Sequence, residues 1–77
     1  MSQGIQVTLS NDEALVLLEW LARHWDTLRH SPDQPLNAEE IVLAGIQAVL
    51  EKNLVEVFAH NYADLVAAAR NRIVASS

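Results

Sequence analysis

Apolar and polar residues alternate over Ile5-Gln6-Val7-Thr8-Leu9. Apolar side chains at spacing two share one face, leaving Gln6 and Thr8 on the other, so the segment predicts a short strand. The alternation stops at Ser10-Asn11-Asp12-Glu13. A serine with a glutamate three residues later can form a capping box, each side chain satisfying an orphan backbone donor of the other. Asp12 and Glu13 also suit the positive end of a helix dipole. A first helix is therefore expected from about Asn11 to about Arg29. Ala14, Leu18, Leu21, Trp25 and Leu28 recur on one face at helical spacing, flanked by Leu17. Glu19 and Arg23 form a favourable pair four residues apart on the opposite side. Val16 and Trp20 lie off this stripe.

His30-Ser31-Pro32-Asp33-Gln34-Pro35 reads as a loop, with two prolines as punctuation. Asn37 followed by Glu40 repeats the helix-start pattern, and a second helix is expected from about Ala38 to about Lys52. At ~100° per residue, Ile41, Val42, Leu43, Gly45, Ile46, Ala48, Val49 and Leu50 cover more than half of its circumference. Only Glu40, Gln47 and Glu51 make a polar strip. A helix apolar on so many sides is covered on more than one of them. Asn53 is suited to end it in a left-handed conformation. Leu54-Val55-Glu56-Val57-Phe58 fits a short second strand or a continued helix equally well. Asn61, with Asp64 three residues on, marks a third helix over about Tyr62 to Val74. Its inner face would hold Tyr62, Leu65, Val66, Ala69 and Ile73. Arg70 and Arg72 sit near its negative end.

The expected fold is mainly α: a short N-terminal strand and three helices in one domain spanning 1–77. A chain of 77 residues has room for one thin core. Yet 51% of its residues are apolar and 19% charged, fewer charges than the ~25% that is ordinary. That surplus of apolar surface points to a covering partner.

The net charge is −5, and the five basic residues are scattered at Arg23, Arg29, Lys52, Arg70 and Arg72. Without a basic run, phosphate-driven nucleic-acid binding and attraction to an anionic membrane are both disfavoured. A basic protein partner would fit the charge. There is no cysteine, so neither a disulfide nor thiolate chemistry is available. MSQGIQVTL lacks the charged start and apolar stretch of a signal peptide. No segment approaches the ~20 apolar residues of a membrane span, and a cytoplasmic location is the default expectation.

Candidate chemistry is sparse. His24, His30 and His60 show no H-x-x-x-H or H-E-x-x-H spacing, which reads as structural or surface histidine rather than a metal site. Ser10, Thr27 and Ser31 are the hydroxyls a histidine could activate, and none sits in a nucleophile elbow. Two glycines, Gly4 and Gly45, cannot build a phosphate-cradling loop. Glu39 and Glu40 are explained by helix-start electrostatics before a carboxylate dyad. Neither an enzyme nor a cofactor is expected. Trp25 is expected in the core. Trp20, beside Val16, fits either a place under the terminal segment or an interface anchor.

The strand, the capped helix, the loop and the second helix apolar on two sides make residues 1–53 resemble a ribbon-helix-helix protein. In that family two chains pair their strands into a ribbon whose outward side chains read the DNA major groove. The resemblance implies that Gln6 and Thr8 would face the DNA. These positions carry no Lys or Arg, the chain is acidic, the inter-helix loop is long and a third helix follows.

The chain is also similar to a family of short uncharacterised bacterial proteins. The likeness lies in Leu9-Ser10-Asn11-Asp12-Glu13-Ala14-Leu15-Val16-Leu17 and Glu19-Trp20-Leu21, then Leu50-Glu51-Lys52, Leu54-Val55-Glu56, Phe58, Asn61-Tyr62, Leu65 and Ala69-Arg70. It implies a self-contained domain and no particular activity. The expectation is a non-enzymatic interaction or regulatory protein, a homodimer through the second helix with the N-terminal strand as a further contact. The expected interface residues are Val16, Trp20, Val42, Leu43, Ile46 and Leu50.

Overall fold

A computed structural model describes residues 4–28 and 33–77 of the chain. The expected helix end at Arg29 and the loop residues His30, Ser31 and Pro32 lie outside the described residues, as does the side chain of Leu28. The fold is three helices: α1 (Asn11–Leu28), α2 (Ala38–Asn53) and α3 (Tyr62–Ser76). A single 3-10 turn, Val55–Phe58, joins α2 to α3.

Both anticipated capping boxes are formed. Glu13 N–H donates to Ser10 Oγ over 3.1 Å, and Ser10 N–H donates to Glu13 Oε1 over 2.8 Å. At α2, Glu40 N–H donates to Asn37 Oδ1 and Asn37 N–H to Glu40 Oε1, each over 2.8 Å. These local signals work because donor and acceptor are three residues apart and need nothing from the rest of the chain. The expectation for Asn61 is corrected. Its side chain makes no cap bond, and its backbone carbonyl accepts from Asp64 and Leu65 instead. Asn53 is likewise not left-handed, since no non-glycine among the described residues has positive φ. It stays inside α2, where its Nδ2 donates to the Val49 carbonyl over 2.7 Å.

The expected N-terminal strand does not form among the described residues, and residues 54–58 take up neither of the two forms left open for them, a strand or a continuation of α2. Residues 4–10 adopt no regular structure and expose every side chain. A strand needs a neighbour to take its backbone hydrogen bonds, and the described residues of one copy offer none. Residues 55–58 coil into the 3-10 turn, closed by Ala59 N–H on the Glu56 carbonyl. Leu54 is buried ahead of it, while Val55 and Phe58 stay exposed.

α1 packs against both other helices, more extensively against α3. The core is Leu15, Leu18 and Leu21 from α1, Leu50 and Leu54 at the end of α2, and Val66 and Ala69 from α3. Because α1 lies between two neighbours, it buries a wider arc than one stripe. Leu15, outside the expected stripe, is therefore buried, and Ala14, Leu17 and Trp25 are half-buried at its margins. Tyr62, Leu65 and Ile73 on α3 are half-buried around Val66 and Ala69. The start of α1 and the last turns of α3 are tied by a bidentate pair. Arg72 Nε donates to Asp12 Oδ2 over 2.8 Å and Nη2 to Oδ1 over 2.9 Å.

Candidate functional site

The orientation of α2 is the decisive feature. Its inward side carries Glu40, Leu43, Ala44, Gln47 and Leu50, continued by Leu54. Two of the three residues read from sequence as its polar strip, Glu40 and Gln47, thus face the chain's own interior. Glu40 is only 2% exposed. Its capping bonds to Asn37 hold the carboxylate at the helix start instead of letting it extend into water. Glu51 alone of that strip is exposed. The opposite side carries Ile41, Val42, Gly45, Ile46, Ala48 and Val49, all exposed. Val42 and Val49 are each 60% exposed.

This outward face is continuous with the N-terminal segment. Ile5, Val7 and Leu9 form one wall of a groove of about 630 Å³. Val42, Gly45, Ile46 and Val49 form the other wall, with Leu17 and Leu50 also lining it. Ile5 is 92% exposed, so the segment borders the groove without filling it. The groove lining among the described residues is apolar and holds no titratable side chain. It can bind by removing hydrocarbon from water.

The expected interface residues separate. Val42, Ile46 and Leu50 line the groove. Leu50 is nonetheless a core residue, and Leu43 packs on the core from the inward side of α2. Val16 also packs on the core. Trp20 is partly exposed and lies outside the groove, stacked on His24 with ring centroids 4.6 Å apart and planes 21° from parallel. His24 Nδ1 lies 3.0 Å from the Trp20 carbonyl oxygen, so this histidine is engaged within its own helix. Gly45 and Val49 were visible on the helical wheel. The groove roles of Ile5, Val7, Leu9 and Leu17 depend on how the N-terminal segment runs beside α2, which has no local sequence signal.

A second, smaller cleft of about 270 Å³ lies between α1 and α3, lined by Glu19, Arg23, Tyr62, Ala63, Val66, Ala67 and Arg70. Burial pushes the Tyr62 phenol above its ordinary value, and the nearby Glu19 carboxylate pushes it further. At the end of the fold, the hydrogen bonds from Arg72 hold the Asp12 carboxyl below its ordinary value. Among the described residues, no group of three His, Asp or Glu side chains is placed to hold a metal ion. No helix there is long and apolar enough to cross a membrane. Comparison with family models, with curated proteins and with solved structures finds no match.

Proposed function

We propose that this chain is a non-enzymatic interaction module that works as a homodimer, with the outward side of α2 and residues 5–9 as its contact surface. One observation carries the reading: α2 turns Glu40 and Gln47 inward and leaves Ile41, Val42, Ile46 and Val49 in water. A lone helix on a soluble surface takes the reverse orientation, because exposing apolar side chains costs roughly 25 cal/mol per Å². The orientation is favourable once a second surface covers that side.

Light scattering across a dilution series tests this. A dimer is expected, and Val49→Glu should yield a monomer with unchanged helix content, since position 49 is exposed in the single chain. Leu50→Glu is not a usable variant, because a charge at that core position would unfold the chain. A wild-type monomer at every concentration would overturn the homodimer and turn the search toward a different, basic partner.

A ribbon-helix-helix-like DNA-binding regulator is the second reading. It is favoured by the exposed, alternating segment 5–9, which has no strand partner among the described residues of one copy. It expects salt-sensitive DNA binding that is lost when Gln6 and Thr8 are changed to Ala. No retention of DNA at low salt would remove it.

A further inference from the structure

The four central positions of the outward face of α2 are symmetric about their own middle. Val42, Gly45, Ile46 and Val49 are exposed, and the midpoint between Gly45 and Ile46 maps Val42 onto Val49. The same midpoint maps Glu39 onto Lys52, two exposed residues of opposite charge near the two ends of the helix. Among the described residues, neither has an ion-pair partner in its own chain. Gly45 lies in open space, and a Cβ added there would meet nothing within 4 Å.

From this pattern we infer that a second copy docks its α2 antiparallel across this face, about a two-fold axis beside Gly45 and Ile46. The inference rests on the homodimer reading above and specifies its seam. Antiparallel packing sets Val42 of one copy level with Val49 of the other and Gly45 level with Ile46, so that the two copies of Ile46 lie only ~1.5 Å apart along the seam. The missing side chain at Gly45 lets the two backbones approach at the centre. The end bearing Glu39 then lies against the partner end bearing Lys52, and the helix dipoles oppose each other favourably. A parallel arrangement would instead set Glu39 beside Glu39 and Lys52 beside Lys52.

The area is sufficient for a specific contact. Ile5, Val7, Leu9, Val42, Ile46 and Val49 are exposed to fractions from 39% to 92%. With Ile41, side chains of this size present roughly 700 Å² of apolar surface, close to the ~800 Å² that each partner buries in a standard interface. Residues 5–9 would flank the incoming helix, since they form the wall opposite α2 in the groove.

The absence of cysteine makes the test direct. Single variants Ile46→Cys, Val42→Cys and Val49→Cys are oxidised separately and as the Val42→Cys plus Val49→Cys mixture, alongside light scattering of each. Position 46 should cross-link to its own copy. Positions 42 and 49 should cross-link to each other in the mixture and not to themselves. Seven residues at ~1.5 Å rise separate two Val42 positions by about 10 Å along an antiparallel seam, and a disulfide does not bridge Cα atoms more than ~7 Å apart. Self-linking of Val42→Cys without a mixed product would show a parallel seam and overturn the inference. A dimer by light scattering with no cross-link at any of these positions would also overturn it, while leaving self-association standing. A monomer by light scattering would remove the homodimer reading and this seam together.

Discussion

Replacing Gly45 by alanine separates the chain's own stability from its assembly. Gly45 sits in the middle of α2 with no positive φ, so the backbone accepts a side chain without strain. Space for the new methyl is open, with nothing within 4 Å. Alanine is the better helix former by about 0.8–1 kcal/mol, chiefly because glycine has more backbone freedom to lose. In a domain of this size, ~1 kcal/mol moves the melting temperature by roughly 4–8 °C. Thermal unfolding followed by circular dichroism, at a dilution where light scattering reports a monomer, should show a rise of that order. In the proposed antiparallel dimer the same methyl would stand between two backbones at the centre of the seam. There the gain should shrink or reverse. A lower melting temperature in the dilute sample would refute the reasoning, because position 45 would then be meeting its own chain.

Other outcomes follow from the same structure. Leu21→Ala removes a side chain that is 1% exposed in the core, and should cost about 2–5 kcal/mol in denaturant titrations. Such a loss approaches the whole stability of a small domain, so a change below about 1 kcal/mol would contradict the core described above. Asp12 is held below 3.8 by Arg72, so its folded form binds protons less readily than its unfolded form. The contribution of the pair is therefore present above about pH 4 and is lost as pH falls through the depressed value. Arg72→Ala should flatten that part of the stability curve, and an unchanged acid limb would discount the pair. Tyr62, the single tyrosine, has a phenol raised above 10. Its contribution is intact below pH 10 and is lost as pH rises through the raised value. Phenolate absorbance should show one late titration that moves earlier in Glu19→Gln, and an unmoved midpoint would exclude Glu19 as a cause.

The parts of this fold legible in the sequence are those decided within a few residues. Ser10 with Glu13 and Asn37 with Glu40 announced two helix starts, and the hydrogen bonds at both are present. The leucines of α1 announced the buried side through Leu18 and Leu21. Leu15 did not follow, because its burial depends on α1 having a neighbour on each flank. The orientation of α2 was illegible for a related reason. A helix apolar around most of its circumference has two sides that could turn inward, and periodicity does not choose between them. Leu43, Leu50 and Leu54 make the choice by packing with the core leucines of α1, and Glu40 and Gln47 turn inward with them. The alternation in residues 5–9 is a strand signal, but pairing requires a neighbouring strand, and the described residues of one copy contain none. Of the candidate contact residues, Val42 and Ile46 could be read from the wheel. Trp20 lies at the margin of α1, partly exposed and stacked on His24 of the same helix.

The outward face of α2 also bears on how long a copy survives. A copy alone displays valine and isoleucine side chains in a contiguous patch, the kind of surface that promotes aggregation and chaperone capture. Association that covers the patch stabilises the folded chain by mass action, in proportion to the logarithm of the partner concentration over the dissociation constant. For a homodimer the partner concentration is the protein's own. Its lifetime would then rise with its abundance, and copies made in excess of assembly would be cleared first.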